Sequence, residues 1–224
     1  MIHLIGAGGI GSWLVPKLCR LAKPREIRVH DGDTLERRNL DRQLFREDQI
    51  GQNKALALAA IHGMQHAPKF VTADSLRGSP DDWIICAADN NAARRAALAI
   101  ADRDGPRVIV AANEYEDAEA YVYSSEWQGT PLDPRVYYPG LFADNAPDPT
   151  RPAGCTGDAK EAEPQLATAN DLAAALAIQL YYFWAIVGPT LPESTQQNWP
   201  IHHRANRWEV TTQDLKTKRG EHGV

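Results

Sequence analysis

Gly6, Gly8, Gly9 and Gly11 fall within the stretch L-I-G-A-G-G-I-G-S over residues 4–12, directly after a short apolar run. Glycines in such a turn permit positive φ and let a ligand's phosphates approach the backbone. The free N–H groups and dipole of a helix starting there favour negative charge. Asp31 lies twenty residues after Gly11, where an acidic side chain commonly hydrogen-bonds a ribose hydroxyl. Up to this point two ligands fit equally, a nicotinamide dinucleotide and ATP.

The polar residues that follow separate them. Asn39-Leu40-Asp41-Arg42-Gln43 comes next, then Gly51-Gln52-Asn53-Lys54-Ala55, then Ala88-Asp89-Asn90. Hydride transfer has no use for this set, whereas phosphoryl chemistry does. Arg42 and Lys54 can neutralise the β- and γ-phosphates and the charge that develops on them. Asp89 is a hard oxygen ligand suited to magnesium, placed at the end of a strand where α/β folds bind ligands. Asn39 can fix phosphate or ribose through its amide. No G-x-x-x-x-G-K-[ST] motif is present, which excludes a P-loop ATPase.

These residues need a scaffold of alternating strands and helices. Strand signals fall at Ile2–Ile5, Glu26–His30, Lys69–Thr72, Trp83–Cys86 and Arg107–Ala111, and helical patterns at Ile10–Leu21, Asn53–His66 and Asn91–Arg103. The alternation predicts βαβ units and a mostly parallel, Rossmann-like α/β sheet with flanking helices. Pro16 inside the first helical pattern predicts a kink or a later helix start. Glu119–Ser125 alternates and reads as an antiparallel strand at the far side of the sheet. Pro131, Pro134, Pro139, Pro147, Pro149 and Pro152 exclude a continuous helix there and predict a long covering loop. A strong helix follows over Gln165–Val187, and Ile201–Thr212 reads as a terminal strand or hairpin. The organisation predicted is one domain over residues 1–212, with a crossover loop at 127–163 and a flexible tail at 213–224.

A chain of 224 residues with 43% apolar and 24% charged residues fits one soluble domain with a sizeable core. A net charge of −5 gives no reason to expect nucleic-acid binding. The apolar stretch from Leu172 to Val187 is short for a membrane span and reads as a buried helix. Met1 leads directly into a strand, with no signal peptide, and three widely spaced cysteines argue against a disulfide framework. The expectation is a cytoplasmic enzyme or binding protein with no membrane partner.

In combination, G-A-G-G-I-G-S (6–12), D-G-D (31–33), N-L-D-R-Q-L-F (39–45), G-Q-N-K-A (51–55) and A-D-N (88–90) resemble the ThiF/MoeB/HesA family, the adenylating core shared with ubiquitin-activating enzymes. The resemblance covers roughly the first 125 residues, and more loosely the crossover loop and later helix. It implies that the C-terminal carboxylate of a small ubiquitin-like β-grasp or sulfur-carrier protein attacks the α-phosphate of magnesium–ATP, releasing pyrophosphate. Charge repulsion between a carboxylate and a polyphosphate calls for cations at the site. By position, Asp31 would hold the ribose, Asn39 and Arg42 the phosphates, Lys54 the phosphates and the developing charge, and Asp89 the magnesium. Asp33 and Gln43 join the nucleotide-binding set with Gly6, Gly8, Gly9 and Gly11. A homodimer is implied as well. Cys155, which follows Pro152-Ala153-Gly154, falls where some relatives carry a cysteine that takes the acyl group as a thioester. Cys19 and Cys86 read as core residues.

The chain departs from the family pattern in three respects. It is expected to start at the first strand, without the N-terminal segment whose arginine reaches the partner subunit's ATP in the family; Arg37 or Arg38 would be the substitute. It has no C-x-x-C pair for structural zinc. His62 and His66 have helical i,i+4 spacing but no third ligand, and read as helix-surface histidines. Two other readings stay open: adenylation of a peptide or small-molecule carboxylate, and a non-catalytic nucleotide-binding scaffold subunit. A nicotinamide-dependent oxidoreductase would leave every motif after Asp31 unexplained.

Overall fold

The computed structural model describes residues 1–114, 117–142, 166–192, 194–195, 199–205 and 210–214. The strands are β1 (Ile2–Ile5), β2 (Ile27–His30), β3 (Gln65–Ala67), β4 (Trp83–Cys86), β5 (Arg107–Asn113), β6 (Ala118–Tyr123), β7 (Pro200–Ala205) and β8 (Val210–Asp214). The helices are α1 (Gly9–Leu18), α2 (Lys54–His62), α3 (Asn91–Asp104), the short α4 (Pro134–Tyr137) and α5 (Pro139–Phe142), and α6 (Ala167–Tyr181).

All eight strands join one sheet in the order β3-β2-β1-β4-β5-β6-β7-β8. β3 through β5 run parallel, and β6, β7 and β8 add on antiparallel. This is the Rossmann-like sheet with antiparallel C-terminal strands that the alternation predicts. β1 and β4 carry no exposed residue, as parallel strands covered on both faces require. The two faces can be told apart at β4. Trp83 packs edge-on against Tyr181 of α6. The next residue, Ile84, shares its register row with Val108 and Tyr123, and Tyr123 is hydrogen-bonded to Asp102 of α3. Successive strand residues face opposite sides, so α6 and α3 lie on opposite faces.

Helix limits follow from local chemistry. Asn53 caps α2 by accepting from Leu56 N at 3.1 Å, and Asn90 caps α3 by accepting from Ala93 N at 2.7 Å. Gly63 (φ +70°) ends α2 in the left-handed region. This ending overturns two expectations. The helix predicted through His66 stops at His62, and the strand predicted at Lys69–Thr72 is instead Gln65–Ala67. After the Gly63 turn the chain reaches the β2 edge by residue 65, where Arg28 Nε donates to Gln65 Oε1 at 3.1 Å and sets the register. Lys69 N then donates to Ala67 O at 2.8 Å and turns the chain away from the sheet. His62 and His66 therefore sit on different elements, and no group of three or more potential metal ligands occurs among the described residues.

α1 starts at Gly9 and runs through Pro16, ending at Leu18 rather than Leu21. The predicted far-side strand and terminal hairpin appear as β6 and as β7–β8. α6 continues into a wider π turn over Tyr182–Val187. The helical stretch Ala167–Thr190 is long and apolar enough to span a bilayer, but here it packs along α1, β5 and β6. Ala173, Ala177 and Leu180 are fully buried in the core. Burying a leucine of that kind is worth about 1.5–3 kcal/mol.

Candidate nucleotide site

β1 has β2 on one side and β4 on the other, so the chain switches direction across the sheet at this point. Crevices for ligands open at such switch points, beyond the carboxyl ends of the strands. A cavity of about 240 Å³ opens there, lined by residues that follow β1 (Gly6, Gly8), β2 (Asp31, Asp33) and β4 (Ala88, Asp89, Asn90), together with Lys54.

Gly6 has φ +96°, and a Cβ on it would lie 2.8 Å from Ala88 N, so a side chain is excluded by both conformation and space. Gly9 has a different reason to be glycine: a Cβ there would lie 2.2 Å from Oδ1 of Asn170 on α6. Gly9 is therefore a helix-packing residue, Gly11 leaves room for the Gly6 carbonyl, 2.0 Å from where its Cβ would lie, and Gly6 and Gly8 form the cavity wall. The buried Asp31 carboxylate accepts from Ala7 N at 2.7 Å and from Asp33 N at 2.8 Å. Burial pushes its pKa up, against the pull of those two donors and of Lys54. Lys54 is almost fully buried, and its Nζ lies 3.2 Å from Oδ2 of Asp33. Asn53 Nδ2 donates to the carbonyls of Asp31 and Asp33 at 2.9 and 3.0 Å. One asparagine thus starts α2 and fixes the D-G-D turn against it.

The 39–45 motif is arranged differently. Neither Asn39 nor Arg42 lines the cavity. Asn39 is buried and accepts from Glu36 N at 3.0 Å, holding its own turn. Arg42 Nη1 donates to Arg38 O at 3.1 Å and to Asp41 Oδ1 at 2.9 Å. The loop docks on α1, with Trp13 Nε1 donating to Arg42 O at 2.9 Å and Leu44 N donating to Ser12 Oγ at 3.0 Å. Gln43 lies beside the turn, its Nε2 3.9 Å from the position of a Cβ on Gly8. Its buried Oε1 has no hydrogen-bond partner among the described residues.

Asp89 lies in the cavity wall with Oδ1 3.6 Å from Arg94 Nη2. Arg94, one turn into α3, is buried and also donates to Asn91 Oδ1 at 3.3 Å, while its Nε has no hydrogen-bond partner among the described residues. Sequence reasoning missed Arg94, although its position five residues after Asp89 was available as a signal. It also missed His30 and the segment Phe70–Thr72, both of which line the cavity. Phe70 is 63% exposed at the cavity and lies over Gly32. Cys86 is fully buried on β4, with its thiol pushed up by burial, and Cys19 is half-buried at the end of α1. Cys155 lies outside the described residues.

Fold and cavity together define a Rossmann-like α/β domain with a glycine-turn site at its switch point. The chain belongs to the ThiF family, whose model matches residues 1–218. No curated protein matches it. Among solved structures it is similar to PaaA (17% identity, TM-score 0.60, covering 96% of this chain and 63% of that one). It is also similar to E. coli MccB with ATP (18% identity, TM-score 0.59, with coverage of 96% and 63%). A third likeness is to E. coli TcdA, a tRNA N6-threonylcarbamoyladenosine dehydratase (18% identity, TM-score 0.59, covering 84% of this chain and 87% of that one). The chain spans less than two thirds of the length of PaaA and MccB.

Proposed function

We propose that this chain uses ATP to adenylate a carboxylate, with the C-terminal carboxylate of a small ubiquitin-like or sulfur-carrier protein as acceptor. The observation that carries the reading is the cavity itself: the glycine turn, Asp31, the Lys54–Asp33 pair and Asp89 come from four separate motifs and line one crevice. In the reaction a carboxylate oxygen forms a bond to the α-phosphorus, and the bond from that phosphorus to the β-bridging oxygen breaks. Pyrophosphate leaves with the electron pair. The backbone of the glycine turn cradles phosphate, Asp31 holds the ribose, and Lys54 neutralises charge on the phosphates. Asp89 offers a hard oxygen of the kind that magnesium prefers. Asp89 would hold the ion, which when bound would neutralise phosphate charge. Arg42 reaches this chemistry by turning its guanidinium from Arg38 and Asp41 towards the phosphates. A homodimer and a cytoplasmic setting belong to the same reading, as does attack of the Cys155 thiolate on the acyl-adenylate, which would form a thioester and release AMP.

A second reading takes a peptide or small-molecule carboxylate as acceptor. It draws support from the solved structures of E. coli MccB with AMPCPP and MccA. The test is ATP–pyrophosphate exchange by the purified chain with a β-grasp protein ending in Gly-Gly, or with a peptide carboxylate. Exchange dependent on the β-grasp protein is the expected result. Exchange with the peptide alone selects the second reading. Tight magnesium–ATP binding without exchange in either case leaves a scaffold subunit.

A further inference from the structure

Beneath the nucleotide cavity lies a buried histidine pair that the adenylation chemistry does not use. Nδ1 of His3 and Nε2 of His30 are 3.1 Å apart and share a hydrogen bond. Nε2 of His3 lies 4.0 Å from Oδ2 of Asp82. Both rings are nearly fully buried. His30 shares its register row with Ile5, so the two side chains project from the same face of the sheet, and both line the cavity.

The Asp82 charge, 4.0 Å from Nε2 of His3, biases where the hydrogens sit. The Asp82 carboxylate favours the His3 tautomer with its hydrogen on Nε2. Nδ1 of His3 is then a bare acceptor, and it takes the hydrogen on Nε2 of His30. A neutral imidazole carries one hydrogen, so Nδ1 of His30 is left as a lone pair. Burial lowers the pKa of both rings, that of His30 to about 4, so the pair is neutral at pH 7 and this assignment holds. The two nitrogens of a ring point to opposite sides, and among the described residues no protein group is hydrogen-bonded to Nδ1 of His30. An acceptor without a protein partner, on a residue that lines the cavity, is available to a donor on the ligand.

We propose that His30 reads the nucleobase: its Nδ1 accepts a hydrogen bond from the 6-amino group of adenine and rejects guanine, which presents an oxygen at the same place. The proposal rests on the nucleotide reading above. Asp31 marks the ribose, and Gly6, Gly8 and Lys54 mark the phosphates, which leaves the base the apolar end floored by Ile5 and His30 and walled by Phe70 and Val71. Adenine offers an amino donor at that edge and guanine a carbonyl acceptor. A site built to bond one polar group discriminates strongly against a ligand lacking it.

The test is equilibrium binding of magnesium complexes of ATP, purine riboside triphosphate (no 6-amino group) and ITP (a 6-oxo group) to the intact chain. On the wild type, loss of the amino group is expected to weaken binding about tenfold, and the oxo group further. In His30→Leu the three should bind within about twofold of one another. His3→Leu leaves the cavity wall in place but frees the His30 ring to carry its hydrogen on either nitrogen, so discrimination should fall there too. Equal binding of the three triphosphates by the wild type, or undiminished discrimination in both variants, overturns the base-reading role and leaves the nucleotide site standing. Binding of none of the three overturns the nucleotide reading and the role of His30 with it.

Discussion

The Asp31 carboxylate at the end of β2 accepts a 2.7 Å hydrogen bond from the backbone N–H of Ala7, inside the glycine turn. On the proposed function, the residue that would meet a ribose also holds the turn that would meet the phosphates. Ligand recognition and local fold would then share one carboxylate, and their separate contributions can be measured.

Asp31→Ala leaves the N–H groups of Ala7 and Asp33 without their acceptor in a buried setting. Leaving such donors unpaired costs about 1–3 kcal/mol each. The expected result is a lower urea midpoint together with a loss of ATP affinity. An unchanged midpoint would mean that the turn is held by packing alone.

The Lys54–Asp33 pair predicts an asymmetry. Lys54 is 3% exposed and Asp33 38% exposed. Asp33→Asn strands a buried cation, whereas Lys54→Met strands a carboxylate that water can reach. Removing the exposed partner should therefore destabilise the fold more, by roughly 2–3 kcal/mol against about 1. Lys54→Met should in turn weaken triphosphate binding the more. Paired denaturation and calorimetry of the two variants check both orders.

Gly9 and Asn170 form a coupled contact between α1 and α6. A methyl group on Gly9 would overlap the Asn170 amide, at 2.2 Å from Oδ1. Gly9→Ala should cost about 1–3 kcal/mol. In the double variant with Asn170→Ala, much of that cost should be recovered, giving a coupling energy of at least about 1 kcal/mol in a double-mutant cycle. Additive effects would show that α6 moves aside freely.

The buried histidines make stability depend on pH. Burial, the neighbouring His3, Arg28 and Lys69 together lower the pKa of His30 from 6.5 to about 4. Between those values the unfolded chain binds the proton and the folded chain does not, so stability is lost as pH falls through this window. The His30 contribution is roughly 2–3 kcal/mol between pH 7 and pH 4. His30→Phe should flatten that part of the curve, measured by urea midpoints at successive pH values.

Much of the scaffold could be read directly from the chain. The apolar runs at Ile2–Ile5 and Trp83–Cys86 and the helical pattern at Asn91–Arg103 are local signals, and each element formed where its signal lies, α3 running one residue further to Asp104. The places of the glycine turn, Asp31 and Asp89 were legible too, because each follows a strand at short range, while Lys54 could be placed only by its motif at the start of α2. Other features depended on tertiary structure. Lys69–Thr72 has the composition of a strand but lost the β2 edge to Gln65–Ala67, because the turn at Gly63 delivers residue 65 there first. Arg42 and Asn39 carry the right chemistry, yet both are bound into their own loop and lie off the cavity. The contacts of Gly9 with Asn170, of Asp89 with Arg94, and of His3 with His30 and Asp82 follow from strand register and helix packing. These bring distant residues to within a few ångströms of each other, and nothing in their local spacing encodes that approach.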